Sequence, residues 1–266
     1  MRTFEALVNE AWTQPTEGWD FSWLGDRHQE DPVPWDYTAM VLELVQTSPD
    51  LLDLGTGGGE WLASLPFRPA RTAATEGWAP NLSVAQTRLG PFGIDVVAYV
   101  NPSGAVGLES AVELLPFPDA SFHLITNRHE SLVADELARV LVRDGHFITQ
   151  QVGEWDTLSP LLGLPGTVES RERWQLSVAI DQLESAGFEV LRSGEARPVT
   201  HLADIGALVW YLKMIPWAIP DFTPDRYHES LRELDRRCNH GPIEFEEERF
   251  WVLARHRPRS GSSTES

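Results

Sequence analysis

Three groups of residues carry the chemistry open to this chain. Asp53 stands two residues ahead of a glycine-rich run, Gly55-Thr56-Gly57-Gly58-Gly59. Glu76 follows 21 residues after Gly55, and a polar string, Asn127-Arg128-His129-Glu130, lies further on. Glycines let the backbone take positive φ and let a ligand approach main-chain N–H groups at the positive end of a following helix, a geometry that cradles nucleotides. An acid about 20 residues past such a turn sits where a carboxylate accepts hydrogen bonds from both hydroxyls of a ribose. The imidazole of His129 can take a proton from a hydroxyl or amine near neutral pH, and Glu130 can orient it, or act as base itself if burial raises its pKa. Blander readings stand beside these. His129 can be a residue that caps or packs at a helix start, Arg128 a salt bridge on the rim, and Gln151 a satisfied core amide.

The elements that position these groups follow from periodicity. Residues 51–54 form a short apolar run that reads as a buried strand, and 61–65 resume as a helix start. Further strands are expected at 71–75, 94–100, 122–126, 146–152, 188–191 and 250–254. Helices are expected at 1–14, 37–45, 81–89, 135–141 (stopped by Gly145), 174–186, 202–217 (ended by Pro216) and 227–236. Strands alternating with helices predict a parallel, doubly wound sheet whose ligands bind outside the carboxyl ends of the strands. That rule places Asp53, Glu76 and residues 127–130 along one rim.

A dinucleotide fingerprint needs G-x-G-x-x-G/A, and counting from Gly55 the last place is held by Glu60. The spacing is instead G-x-G-x-G, with Asp53 ahead of it, and it resembles motif I of class I S-adenosylmethionine (SAM) methyltransferases. Residues 115–125, which begin Leu115-Pro116-Phe117-Pro118-Asp119, resemble the LPFPDxSFDLV segment leading into strand four of that family, with His123 in place of its usual Asp. The resemblance covers about residues 50–152 and, less closely, the final hairpin, and it points to a poorly characterised bacterial subgroup. It implies a seven-stranded, mostly parallel Rossmann-like sheet and SAM as cofactor. The implied cofactor residues are Asp53, Gly55, Thr56, Gly57, Gly59, Glu76, Gly77, Trp78, Asn127 and Arg128, the last as a clamp on a carboxylate. Where the family often carries Asp-Ala against the adenine, this chain reads Ser110-Ala111, so Ser110 or main chain is expected to make that contact. No metal is implied.

The chain has 266 residues, 42% of them hydrophobic, enough for one α/β domain with smaller additions. Its 40 acids against 21 Lys plus Arg give a net charge of −19, which repels a polyanion and argues against nucleic acid as partner. One cysteine excludes an internal disulfide and a thiolate zinc module, and makes a reduced, cytoplasmic setting the default. No apolar run reaches the length of a membrane span.

The division expected from these patterns is an aromatic helical cap over 1–48, a core over 49–195, a helical insertion between the last two strands over 196–243, the last core strand over 244–257 and a disordered tail over 258–266. Of the 11 tryptophans, Trp12, Trp19, Trp23 and Trp35 precede the cofactor segment and Trp155, Trp174, Trp210, Trp217 and Trp251 follow it. Cap and insertion are therefore candidates for an acceptor pocket, with Trp23, His28, Trp35, Tyr37, Gln151, Trp210 and Trp217 as its lining. The insertion reads equally as a dimer interface, leaving monomer or homodimer open. The function expected is methylation of an O, N or C atom of a small, aromatic or partly apolar acceptor. The alternatives are an RNA guanine methyltransferase and a non-catalytic SAM-binding protein.

Overall fold

The computed structural model describes residues 2–16, 20–100, 114–166, 173–238 and 240–257. Its helices and strands, in chain order, are α1 (Phe4–Thr13), β1 (His28–Glu30), α2 (Tyr37–Val45), β2 (Asp50–Leu54), α3 (Glu60–Ser64), β3 (Arg71–Glu76), α4 (Ala79–Leu89), β4 (Asp95–Ala98), β5 (Phe122–Arg128), α5 (Ala134–Val140), β6 (Leu141–Asp156), α6 (Leu158–Leu161), α7 (Leu176–Ser185), β7 (Phe188–Ala196), β8 (Val199–Leu202), α8 (Ile205–Met214), α9 (His228–Cys238) and β9 (Ile243–His256). They divide into two compact units. One comprises Met1–Pro34, Gly153–Gln175 and Ala196–Arg249, the other Trp35–Val152, Leu176–Glu195 and Phe250–Ser266.

The second unit is the nucleotide-type fold. Its strands pair in the order β4-β3-β2-β5-β6-β9, with β7 beside β9. Strands β4, β3, β2, β5 and β6 run parallel. All five residues of β2 are buried, as a central strand covered on both faces requires. Val41 and Val45 of α2 and Leu62, Ala85 and Leu89 of α3 and α4 close over Leu51 and Leu124 to form the core. Helix α2 starts where Asp36 accepts from the Ala39 N–H at 2.9 Å.

At the amino ends of these strands, the buried Asp50 carboxylate gathers three donors. Arg71 Nη2 lies 2.6 Å from Oδ2, the His123 main-chain N–H 2.6 Å from Oδ1 and His123 Nδ1 2.9 Å from Oδ2. His123, at the position where the resembled family has an acid, thus serves an acid already present on β2.

Three expectations are corrected here. Among the described residues the sheet has nine strands, not seven. The added pair is β1 and β8, which run antiparallel to one another, with β8 antiparallel to β9 in turn. The helix expected from residue 202 begins at Ile205, because Asp204 is extended and its side chain caps the Ala207 N–H at 2.8 Å. Gly145 does not stop a helix. Helix α5 ends at Val140, and β6 runs through Asp144 (φ 61°) and Gly145, where the β5–β6 register shifts.

The first unit has its own core. In it α8, buried along almost its whole length, packs among Phe4, Leu24, Leu158, Leu231 and Phe245. Among the described residues no helix is long and apolar enough to cross a membrane.

Candidate cofactor site

The site is built at the carboxyl ends of β2, β3 and β5. The turn after β2 holds Gly55, Gly57 and Gly59 at φ 65°, 63° and 79°, all in the left-handed region where a side chain is strained. Two of its N–H groups are bound to Thr75 of β3. Thr56 donates to the Thr75 carbonyl at 2.9 Å and Gly55 to the Thr75 hydroxyl at 3.3 Å. These bonds fix the loop against the strand that ends in Glu76.

Asp53 is fully buried, and the β2–β5 register sets Thr126 beside it. The Thr126 hydroxyl donates to Asp53 Oδ1 at 2.7 Å. Burial raises the Asp53 pKa to about 6, and the hydroxyl holds it from rising further.

Glu76 is 5% exposed, and the Trp78 N–H donates to its Oε1 at 2.6 Å. Burial raises its pKa to about 7 against the pull of the Trp78, Gly57 and Gly77 N–H groups, with the Glu130 charge adding to the rise. Among the described residues no Arg or Lys forms an ion pair with Glu76. A buried carboxylate met by main-chain donors and no cation fits the hydroxyls of a ribose, which can supply further donors. Gly77 has to be bare, since a Cβ there would stand 2.7 Å from the Tyr99 carbonyl oxygen. Trp78 contributes its main chain while its side chain is exposed.

Beyond β5 the chain turns on His129, a non-glycine residue at φ 64°. This turn lays Glu130 across Gly55 and leaves the Arg128 and His129 side chains exposed. The Ser131 N–H and hydroxyl each lie 3.0 Å from Glu130 Oε1, and burial raises the Glu130 pKa against them. Trp35 Nε1 donates to Gln150 Oε1 at 2.8 Å, and Gln150 Nε2 lies 3.3 Å from His129 Nε2. Trp35 and Gln150 thereby hold the imidazole.

Asn127 is buried, and its Oδ1 accepts from Gln151 Nε2 at 2.8 Å. The same Gln151 amide reaches the Glu130 carbonyl at 2.9 Å. The buried Tyr37 hydroxyl donates to the Asn127 carbonyl at 3.0 Å, and burial keeps its pKa well above 10. Next to the turn is a small cavity lined by Leu54, Tyr99, Leu115, Glu130 and Leu137 among others.

The residues expected from sequence therefore separate. Asp53, the glycines, Thr56, Glu76, Asn127, Glu130, Tyr37 and Gln151 come together in one unit, with Trp35 and His129 joined through Gln150. Trp23, His28, Trp210 and Trp217 belong to the other unit. There Trp23 and Trp210 pack ring to ring at 5.3 Å, His28 lies 5.7 Å from the Tyr211 ring, and Trp217 is exposed. Ser110, Ala111 and the tail 258–266 lie outside the described residues. Thr126 and Ser131, which hold two of the carboxylates, were not singled out from sequence. The signal for Thr126 is a hydroxyl within the apolar run of β5, in register with Asp53.

Residues 52–149 match the family model described as a methyltransferase domain. No curated protein matches the chain. Among solved structures it is similar to a proposed methyltransferase of Bacillus halodurans, at 17% identity, 83% of this chain, 98% of the other and a TM-score of 0.56. It is also similar to the YcgJ protein of Bacillus subtilis, at 19% identity, 83% and 98% coverage and a TM-score of 0.53. A third is a proposed sarcosine dimethylglycine methyltransferase of Galdieria sulphuraria, at 15% identity, 83% and 84% coverage and a TM-score of 0.51. At these identities the likeness is one of fold. The fold is thus one shared with methyltransferases, and residues 52–149 match a methyltransferase domain.

Proposed function

We propose that the protein transfers a methyl group from SAM to an oxygen, nitrogen or carbon atom of a small, aromatic or partly apolar acceptor. The observation that carries the donor half is the Glu76 carboxylate, buried beside the glycine turn and held by main-chain N–H groups, with no Arg or Lys paired to it among the described residues. When bound, SAM supplies an electrophilic methyl carbon on a positively charged sulfur. Glu76 accepts the ribose hydroxyls, the bare glycines admit the ligand to main-chain distance, and Thr126 keeps Asp53 ionised at the end of β2. Tyr37, Asn127 and Gln151 form a bonded set that fixes the loop after β5, where His129 is presented as general base for an acceptor that must lose a proton. The chain's remaining work is alignment of acceptor and methyl carbon in a water-poor space.

The acceptor half rests on charge and composition. A net charge of −19 disfavours a polyanionic substrate, and 11 tryptophans suit an aromatic or apolar one. The test is transfer from methyl-labelled SAM into a cell extract separated into small molecules and RNA. Label in the small-molecule fraction is expected. Label in RNA with salt-sensitive binding overturns the acceptor class, and SAM binding with no acceptor in any fraction favours a non-catalytic protein.

A further inference from the structure

Glu130 occupies a place beside the turn that a glycine at position 55 leaves open. A Cβ on Gly55 would stand 2.5 Å from Glu130 Cβ, 2.6 Å from Cγ and 2.8 Å from Oε2. Ser131 binds the opposite oxygen, Oε1, through both its N–H and its hydroxyl. The carboxylate is thus fixed at one oxygen, with the other turned to the turn. It is also close enough to Glu76 for the two charges to repel. A ligand whose ribose is held by Glu76 carries its sulfur on the neighbouring 5′ carbon, a few bonds away. Glu130 is a carboxylate that lies against Gly55 and within charge interaction of Glu76, in that same neighbourhood.

We infer that Glu130 is the residue by which this site distinguishes SAM from its product, S-adenosylhomocysteine. The inference rests on the donor reading above. In the transfer, an acceptor lone pair forms the new bond to the methyl carbon, the carbon–sulfur pair returns to sulfur, and the acceptor's proton, where it has one to lose, leaves to a base. The sulfonium charge is gone and a neutral thioether remains. A carboxylate beside the sulfur attracts the donor and has no such hold on the product, so the same group that favours loading also favours release.

Titration calorimetry of both ligands against the wild-type protein and Glu130→Gln tests this. The amide keeps an oxygen to accept from Ser131 and loses only the charge. The affinity ratio of SAM to S-adenosylhomocysteine is expected to fall about tenfold in Glu130→Gln, through weaker SAM binding alone, as for a charge pair partly screened by solvent. Glu130→Asp, which keeps the charge, is expected to retain most of the wild-type ratio. Equal weakening of both ligands makes Glu130 structural and overturns the inference, and so does equal tightening, which makes it a plug that either ligand displaces. Should Glu130→Gln fail to fold, the wild-type order decides: SAM must bind more tightly than S-adenosylhomocysteine, and the reverse order overturns the inference. No binding of either ligand to the wild-type protein overturns the donor reading itself, whereas binding with an unchanged ratio overturns only the role of Glu130.

Discussion

Thr126 on β5 donates a 2.7 Å hydrogen bond to Asp53 on β2, across a parallel register that sets the two residues side by side. Asp53 is buried with its pKa raised to about 6, so this hydroxyl is part of what keeps it ionised at neutral pH. Thr126→Val removes the donor and keeps the shape. Leaving the buried carboxylate short of a partner is expected to cost about 1–3 kcal/mol in urea denaturation and to raise the Asp53 pKa further. Unchanged stability would show that the bond contributes nothing.

Gly55→Ala meets two obstacles at once. The residue sits at φ 65°, and the new methyl would collide with Glu130. Left-handed backbone costs a non-glycine residue about 1–2 kcal/mol before the collision is counted. Reduced thermal stability together with weaker SAM binding is expected. A variant as stable and as tight-binding as the parent would place Glu130 elsewhere in solution.

Two carboxylates with raised pKa values predict a pH dependence of stability. Asp53 and Glu76 have ordinary values of 3.8 and 4.5 and are pushed up to about 6 and about 7 in the fold. The folded chain therefore holds these protons more tightly than the unfolded one. The stability they contribute is fully present below the ordinary values and is lost as pH rises through about 6 and 7. Denaturation from pH 4.5 to 8 should show a decline with pH that is smaller in Glu76→Gln. SAM affinity should move the opposite way, rising as pH passes about 7, because the ionised Glu76 is the form that accepts the ribose hydroxyls. Equal pH slopes in the wild-type protein and the variant would contradict both expectations.

His129→Ala separates chemistry from binding. The ring is held through Gln150 and Trp35, outside the Glu76 and Gly55 contacts. Turnover on an acceptor that must lose a proton is expected to drop by about 10²–10⁴, with SAM affinity unchanged. Equal turnover at all pH values would leave His129 a structural residue.

The part of the site formed by neighbours in sequence was readable before any coordinates. Strand β2, the glycine turn and β3 ending at Glu76 follow one another within 27 residues, so apolar runs, glycine spacing and the distance to the acid describe them. What depends on distant pairing was not. Thr126 matters through the β2–β5 register, and His123 through Asp50 on another strand. Glu130 reaches Gly55 only because His129 adopts a left-handed backbone that a histidine does not announce. Strands β1 and β8 escaped because each is short and finds its partner far along the chain. Trp23 packs on Trp210 and His28 lies beside Tyr211 within the other unit, pairings between distant residues that aromatic character alone does not announce.

The central claim is that Glu76 and the glycine turn hold the adenosyl group of SAM. Calorimetric titration of SAM into the wild-type protein and Glu76→Ala tests it most directly. Binding by the wild-type protein and a loss of about 1.5–3 kcal/mol in the variant, as for a charge-assisted hydrogen bond, is the predicted result. Equal affinity in the two proteins, or no binding by the wild-type protein, would contradict it.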